Sequence, residues 1–299
     1  MKKNKIMKVA IIGRGPAGMA TAIQLNKYCS ESLLLFSKEG HFGLLPYARI
    51  IENYPGFPDG IAGVELWDKF YAQVLKSYVQ QVFHDVDLLD FIEQEKLFVI
   101  TVGGDVYYAR YVVVATGTMP RQIELLDSMI SSNDICVYYD IAEVIKQQNK
   151  KVAIVGAGDA ALDYALNVAK NNLVAIFNRG AYINASFSLQ EQIKDNKNIT
   201  YHKNAKLINV QSNATSKQLL TFQQEQNIIN KEFDYLVVAI GRVPNKAFYT
   251  DNLVNLEPML IANKLLYLVG DIKNNIYRQV AIAVGDGILA AMQLKELVA

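Results

Sequence analysis

Apolar positions fall into short runs that stop at glycine. Met7 to Ile12 is one such run; it ends at Gly13-Arg14-Gly15-Pro16-Ala17-Gly18, passes into a helical pattern carried by Met19, Ile23 and Gln24, and is followed by "SLLLF" at 32–36. That order predicts a β-turn-α-β unit. Residues 63–79 place Val64, Trp67, Phe70, Tyr71, Val74, Leu75 and Tyr78 at three-and-four spacing, which predicts an amphipathic helix with its aromatic stripe in the core. From Val82 to Arg110 short alternating segments broken by Gly103-Gly104-Asp105 predict an antiparallel hairpin or meander, with "YVVVATG" (111–117) as a separate, fully buried strand after it.

The pattern then starts again. "KVAIVGAGDAALDYALNVA" (151–169) reads as strand, glycine turn and helix, and "LVAIFNRG" (173–180) as the next strand. Polar β-like segments run from Asn198 to Lys231, and "FDYLVVAIGRVPN" (233–245) mirrors the earlier "YVVVATG". The last elements predicted are a strand in "LLYLVGD" (265–271) and a helix rich in small residues beginning near Tyr277. The chain is thus a weak internal repeat, each half running from a glycine turn to a buried strand.

Composition narrows this picture mainly by exclusion. The 299 residues are 51% hydrophobic and 20% charged, enough for two medium cores. Lys plus Arg number 30 against 29 Asp plus Glu, a formal charge of +1, so no basic excess points to nucleic acid or an anionic membrane. The lysine-rich start imitates a signal peptide, but Gly13, Arg14 and Gly15 end its apolar run too early for one, and no run approaches membrane-helix length. Cys29 and Cys136 are the two cysteines. They are too few for a disulfide framework and badly spaced for a metal, which fits a reducing cytoplasm. Cys29, on the first helix, reads as a core residue, and His41, His84 and His202 show no ligand spacing.

The chemistry lies in the two turns. Glycine has no Cβ and tolerates positive φ, so a G-x-G-x-x-G turn lets the backbone approach a pyrophosphate at the next helix's N-terminus. Gly13, Gly15 and Gly18 form one such turn; Gly156, Gly158 and Ala161 form a second in the G-x-G-x-x-A variant. Two turns imply two dinucleotides.

Along nearly its whole length the chain resembles the low-molecular-weight thioredoxin reductases and their relatives, the thioredoxin-reductase-type ferredoxin or flavodoxin NAD(P) reductases. The resemblance is carried by "IIGRGPAGMATAI", "IENYPGFPDGIAG", "VVVATG", "VAIVGAGDAALDYAL", "AIGRVPN" and "VGDIKNNIYRQVAIAVGDGILAA". It implies an α/β fold of two Rossmann-like three-layer β/β/α nucleotide-binding domains: an FAD domain discontinuous in sequence (1–118 and 246–299), with an NAD(P) domain (119–245) inserted. It also implies an FAD site at Gly13, Gly15, Pro16, Ala17, Gly18, Glu39, Asn53, Thr116, Gly117, Gly270, Asp271, Arg278, Gln279 and Val280. The matching NAD(P) site comprises Gly156, Gly158, Asp159, Ala160, Asn178, Arg179 and Gly241. A homodimer is implied as well.

Three departures shape the functional expectation. Phe42-Gly43-Leu44 stands where the family has Gly-Gly-Gln at the flavin. Asn178-Arg179-Gly180 stands where NADPH-specific members carry His-Arg-Arg, so one arginine remains for a 2′-phosphate and NADPH and NADH both stay open. Cys136-Val137-Tyr138-Tyr139-Asp140 replaces Cys-x-x-Cys-Asp, and one sulfur cannot cycle as a dithiol. Cys136 and Tyr139 are therefore the candidate catalytic positions, Tyr139 either shielding the flavin or packing. The expected activity is transfer of electrons from NAD(P)H through flavin directly to ferredoxin or flavodoxin. The alternatives are a diaphorase or oxidase using quinone, oxygen or another small-molecule acceptor, a mixed-disulfide mechanism through Cys136, and a non-enzymatic flavin-binding redox sensor.

Overall fold

The computed structural model describes residues 6–29, 33–37, 43–77, 79–123, 126, 136–212 and 217–298. The chain divides into two compact units, one of Met1–Met119 with Val243–Ala299 and one of Pro120–Arg242. The first opens with β1 (Ile6–Ile12), α1 (Pro16–Cys29), β2 (Leu33–Phe36), α2 (Gly63–Leu75) and β3 (Gln80–Val82). It continues through β4 (Leu88–Ile92), β5 (Leu97–Val102) and β6 (Asp105–Val114) to the crossing strand β7 (Thr118–Pro120). Its sheet runs β3-β2-β1-β6-β5-β4, parallel from β3 to β6 and antiparallel from β6 to β4.

Strand β6 joins the two halves of this sheet: Asp105 to Ala109 pair with β5 while Tyr108 to Val114 pair with β1. The separate hairpin strand and buried strand expected around Arg110 are therefore one element, because Arg110 merely takes the exposed side of a continuous strand. The period of two along β1 sends Val9 and Ile11 to one face and Ala10 and Ile12 to the other. The first face packs on α1 and α2 through Met19, Leu25, Leu66 and Trp67; the second packs on Phe98 and Ile100. Helix α2 buries Gly63, Leu66, Trp67 and Val74, whereas Val64 and Leu75 are 52% and 59% exposed. Those two leave the expected stripe because at 100° per residue they fall on its flanks, and Leu66 takes the inner position. Tyr78 lies outside the described residues.

The second unit contains β8 (Val137–Tyr138), β9 (Lys151–Val155), α3 (Asp159–Val168), β10 (Leu173–Phe177), α4 (Phe187–Lys194) and β11 (Ile199–His202). After these come the meander β12 (Ala205–Ser212), β13 (Gln218–Gln224) and β14 (Asn227–Phe233), then β15 (Tyr235–Val238); β16 (Arg242–Pro244) begins at the last residue of this unit. A parallel sheet of order β11-β10-β9-β15-β8 forms the middle layer. Val152, Ile154, Val174 and Ile176 face the helices, and Ala153, Val155, Ala175 and Phe177 face the meander. Simple alternation thus yields three layers.

The first unit is completed by α5 (Asp251–Ala262), β17 (Leu266–Leu268), which pairs with β6, and α6 (Val280–Val298). The hydrophobic pattern signals neither α4 nor α5. In α5 only Leu253 and Leu260 are buried and Pro258 interrupts the period, although the cap is regular: Thr250 Oγ1 accepts from the Leu253 amide at 3.1 Å. Helix α6 starts at Val280 rather than near Tyr277, since Ile276 and Tyr277 are 76% and 70% exposed. Each unit is Rossmann-like: in the first, α1, α2 and α6 cover one face of a largely parallel sheet and α5 packs on the other; in the second, α3 and α4 cover one face and the antiparallel meander the other. No helix among the described residues is long and apolar enough to cross a membrane.

Candidate functional site

The two glycine turns are built alike. In the first, the Gly13 amide donates to Phe36 O at 2.9 Å and the Ala115 amide to Ile12 O at 2.7 Å. In the second, Gly156 donates to Phe177 O at 3.0 Å and Ala239 to Val155 O at 2.8 Å. Both leading glycines have positive φ, +111° and +133°, and a Cβ would stand 2.4 Å from Ala115 O or 2.1 Å from Ala239 O. A Cβ at Gly18 would stand 1.9 Å from Gly13 O. These glycines are demanded by the fold itself.

The middle glycines are different. A Cβ at Gly15 meets nothing within 4 Å, and one at Gly158 meets only Asn184 O at an ordinary 3.6 Å. No protein atom requires glycine there. What the missing Cβ preserves is an open cradle over the N-termini of α1 and α3, where unsatisfied amides and the helix dipole favour phosphate. The cradles fit the pyrophosphates of two dinucleotides.

Around the first cradle the fold collects several residues distant in sequence. Pro16 and Ala17 begin α1. A Cβ on Gly270, at φ +74°, would stand 2.9 Å from the Ala17 Cβ, and one on Gly287 of α6 would stand 2.3 Å from Ala17 O. This close approach holds the Gly270-Asp271 turn and α6 on the first turn of α1. Thr116 follows the end of β6 beside Gly13; its Oγ1 donates to Asn245 O at 2.7 Å, and Gly117 adopts φ +63°. Asn53 Nδ2 donates to Gln279 Oε1 at 2.8 Å, which ties the loop after Ile51 to the Arg278-Gln279-Val280 segment. Glu39 and Phe42 lie outside the described residues.

In the second unit the loop after β10 is tied down by its own polar groups. Asn178, 8% exposed, donates through Nδ2 to Tyr182 O and Tyr201 Oη, both at 2.8 Å, while its Oδ1 accepts from the Gly180 amide at 3.0 Å. Asn178 thus shapes the loop, and the neighbouring Arg179 is exposed. The Asn184 amide donates to Ala157 O at 2.9 Å, and the Ser186 amide to Asp159 Oδ1 at 2.8 Å, which lays the loop beside the glycine turn. Ala160 is exposed in the first turn of α3, and Gly241, at φ +112°, accepts from the Arg121 amide at 3.0 Å. Sequence reasoning missed Asn184, Ser186 and Tyr201, whose roles exist only through the folded loop. It also assigned nothing to His202, which stacks on Phe177 at 4.8 Å with Lys231 Nζ 3.2 Å from its Nε2. Burial, and after it the Lys231 charge, hold the His202 pKa below the usual imidazole value.

The two candidate catalytic positions belong to the second unit. The Cys136 carbonyl accepts from the Leu236 amide at 3.0 Å and its thiol is half-buried. Tyr139 packs on the cluster of Ala153, Val155 and Leu236, and its Oη accepts from the Ile123 amide at 3.4 Å. Cys29 is buried in the first core, and burial raises its thiol pKa.

Two glycine cradles suited to phosphate, one on each Rossmann-like unit, fit a protein that binds two nucleotides. A profile of the family described as "Pyridine nucleotide-disulphide oxidoreductase" matches residues 7–287, and the chain belongs to that family. It is 26% identical over 309 residues to a thioredoxin reductase of Chlamydia pneumoniae, covering 95% of this chain and 96% of the relative. It is 24% identical over 310 residues to a "34.2 kDa protein in rubredoxin operon" of Clostridium pasteurianum, covering 100% and 99% of the two chains. The crystal structure of Lactococcus lactis thioredoxin reductase shares the fold, with a TM-score of 0.85 at 23% identity over 98% of this chain and 99% of that one. The protein is an enzyme of thioredoxin-reductase-like type, and the cofactors of its family are FAD and a pyridine nucleotide.

Proposed function

We propose that the enzyme passes electrons from NAD(P)H through FAD directly to a small one-electron carrier, ferredoxin or flavodoxin, without a redox-active disulfide. FAD, when bound, supplies the chemistry that links a two-electron donor to a one-electron acceptor. In this reading the unit containing Gly13, Gly15 and Gly18 holds FAD, with Asn53, Thr116, Gly117, Asp271, Arg278 and Gln279 contributing. The inserted unit holds the nicotinamide coenzyme at Gly156, Gly158 and Arg179. The enzyme acts in the cytoplasm as a homodimer.

The observation that carries the proposal is the absence of a thiol pair. Cys29 and Cys136 are the only cysteines, and Tyr139, at the position of the second sulfur in the resemblance, is a partly buried side chain resting against a hydrophobic cluster. Disulfide reduction needs an attacking thiol and a partner that returns electrons to the flavin. A carrier that takes electrons straight from the flavin needs neither. The relative from a rubredoxin operon supports an acceptor of this small-carrier class.

The test is anaerobic. Purified protein is reduced with NADPH and with NADH, then mixed with ferredoxin, flavodoxin or an oxidised thioredoxin. Expected are about one FAD per chain, reduction of at least one carrier, and no reduction of the disulfide. Steady disulfide turnover, or reduced enzyme that leaves both carriers oxidised, would refute the reading.

A further inference from the structure

One carboxylate of α6 clamps the turn that carries Asp271. Asp286 Oδ2 accepts from the Gly270 amide at 3.1 Å and from Asn274 Nδ2 at 2.6 Å, and its Oδ1 pairs with Lys273 Nζ at 2.9 Å. The Asp286 side chain is 14% exposed and that of Lys273 39%, so the ion pair lies toward solvent and the two hydrogen bonds are the stronger part of the clamp. The carboxylate is itself placed from elsewhere. At the neighbouring Gly287 a Cβ would stand 2.3 Å from Ala17 O and 2.9 Å from Thr21 Oγ1, so the seating of α6 on α1 fixes where Asp286 points its charge.

The loop has little else to hold it. Gly270 and Asn275 adopt left-handed backbone, at φ +74° and +47°, a conformation that costs energy for any residue but glycine. Gly270 is buried, so its amide needs an acceptor inside the protein. Ile272, 3% exposed, anchors the start of the loop, whereas Ile276 and Tyr277 are 76% and 70% exposed and supply no second apolar anchor. Beyond Asn274 the chain is braced only over short range: the Tyr277 amide donates to Asn274 O at 2.8 Å and the Arg278 amide to Ile276 O at 3.0 Å. Fixing Asn274 therefore fixes where Arg278 and Gln279 leave the loop.

We propose that Asp286 is a positioning residue for the flavin coenzyme. Through Gly270 it sets Asp271, and through Asn274 it sets Arg278 and Gln279, so that both arms of the loop meet FAD in one arrangement without Asp286 touching the coenzyme. This rests on the assignment of Asp271, Arg278 and Gln279 to FAD made above.

Full-length protein stripped of flavin is titrated with FAD by fluorescence quenching. Visible circular dichroism at saturating FAD then reads the surroundings of the bound flavin, and amide hydrogen exchange follows residues 270–279 in the flavin-free protein. Asp286→Ala is expected to exchange about tenfold faster in that segment, to bind FAD about tenfold more weakly and to change the flavin band of the saturated protein. Asp286→Asn keeps one acceptor oxygen and should recover part of both the affinity and the band. Asn274→Ala should reproduce part of the loss in the parent and add nothing in the Asp286→Ala background, where the bond it removes is already gone. Asp286→Ala with an FAD affinity within twofold of the parent and an unchanged flavin band overturns the proposal, whatever its stability in urea, because it marks a residue of the fold alone. So does weaker FAD binding with parental exchange at residues 270–279. If far-ultraviolet circular dichroism shows Asp286→Ala unfolded, Asp286→Asn and Asn274→Ala decide, and parental affinity and flavin band in both refute the idea. A parent that takes no FAD overturns the flavin assignment and this proposal with it; a parent that binds FAD beside variants that match it overturns this proposal alone. No electron acceptor is present, so failure of the proposed electron delivery leaves these results unchanged.

Discussion

Replacing Gly15 by alanine separates what the first turn does for the fold from what it does for the cofactor. The residue lies outside the left-handed region, and its new Cβ would meet no protein atom within 4 Å. Stability of the flavin-free protein should therefore stay within about 1 kcal/mol of the parent, since restricting the unfolded chain favours alanine where the native backbone accepts it. Binding should respond very differently. A methyl group in the cradle pushes the pyrophosphate off the amides of α1, and losing two charge-assisted hydrogen bonds at about 1.5–3 kcal/mol each weakens FAD by two to four powers of ten. Gly18→Ala is the contrasting control: its Cβ would stand 1.9 Å from Gly13 O and 3.2 Å from the Ala115 Cβ, both fixed by the β1–β6 sheet. Relief requires α1 to shift, at a cost of about 1–3 kcal/mol or more even without cofactor. Urea denaturation of both flavin-free variants, paired with FAD titration by fluorescence quenching, measures the two effects independently. A Gly15→Ala protein that binds FAD within a few-fold of the parent, or that unfolds as readily as Gly18→Ala, would refute the reasoning.

Three further outcomes are expected. Cys136→Ser should leave flavin reduction and carrier reduction within a few-fold of the parent; loss of turnover with flavin content intact would make the sulfur catalytic. Arg179 stands alone where NADPH-specific members of the family have His-Arg-Arg and a further Arg, so two of three phosphate contacts, at about 1.5 kcal/mol each, are lost, which forfeits roughly 3 kcal/mol, or about two powers of ten, of discrimination. NADH should then compete with NADPH, and a preference for NADPH above about a thousandfold in kcat/KM would show that other residues rebuild the site. The His202 pKa is lower folded than unfolded, so the unfolded state takes up protons first as pH falls. Stability should be full above the ordinary imidazole value of 6.5 and decline below it; denaturation midpoints between pH 5 and 8 should flatten in His202→Phe, and an unchanged slope would contradict the linkage.

Much of this protein is legible in one dimension because its signals are local. Each strand–turn–helix unit is written within a few consecutive residues: an apolar run, glycines where φ must be positive or a Cβ would collide, and a helix of small residues. The alternation in β1 and β9 already sorts side chains between two faces, which suffices for the layers. The absence of a second sulfur beside Cys136 is likewise a property of the sequence alone. Where tertiary packing overrides the local pattern, the sequence falls short. Arg110 looks like a break between strands and is the outer side of one, because partners on both sides of β6 supply the register. Helix α5 hides behind Pro258, since its stability comes from two buried leucines and a threonine cap rather than from a full apolar stripe. The distinction between the collision-bound Gly13 and the open Gly15 is equally invisible in the motif, as it depends on where the carbonyl of Ala115 lies. The same holds for Asp286: its neighbours in sequence make it a helix residue, and only the convergence of Gly270, Lys273 and Asn274 on its carboxylate turns it into a clamp. Contacts between residues far apart in the chain carry no local signature, because they form only after the sheet has brought their elements together.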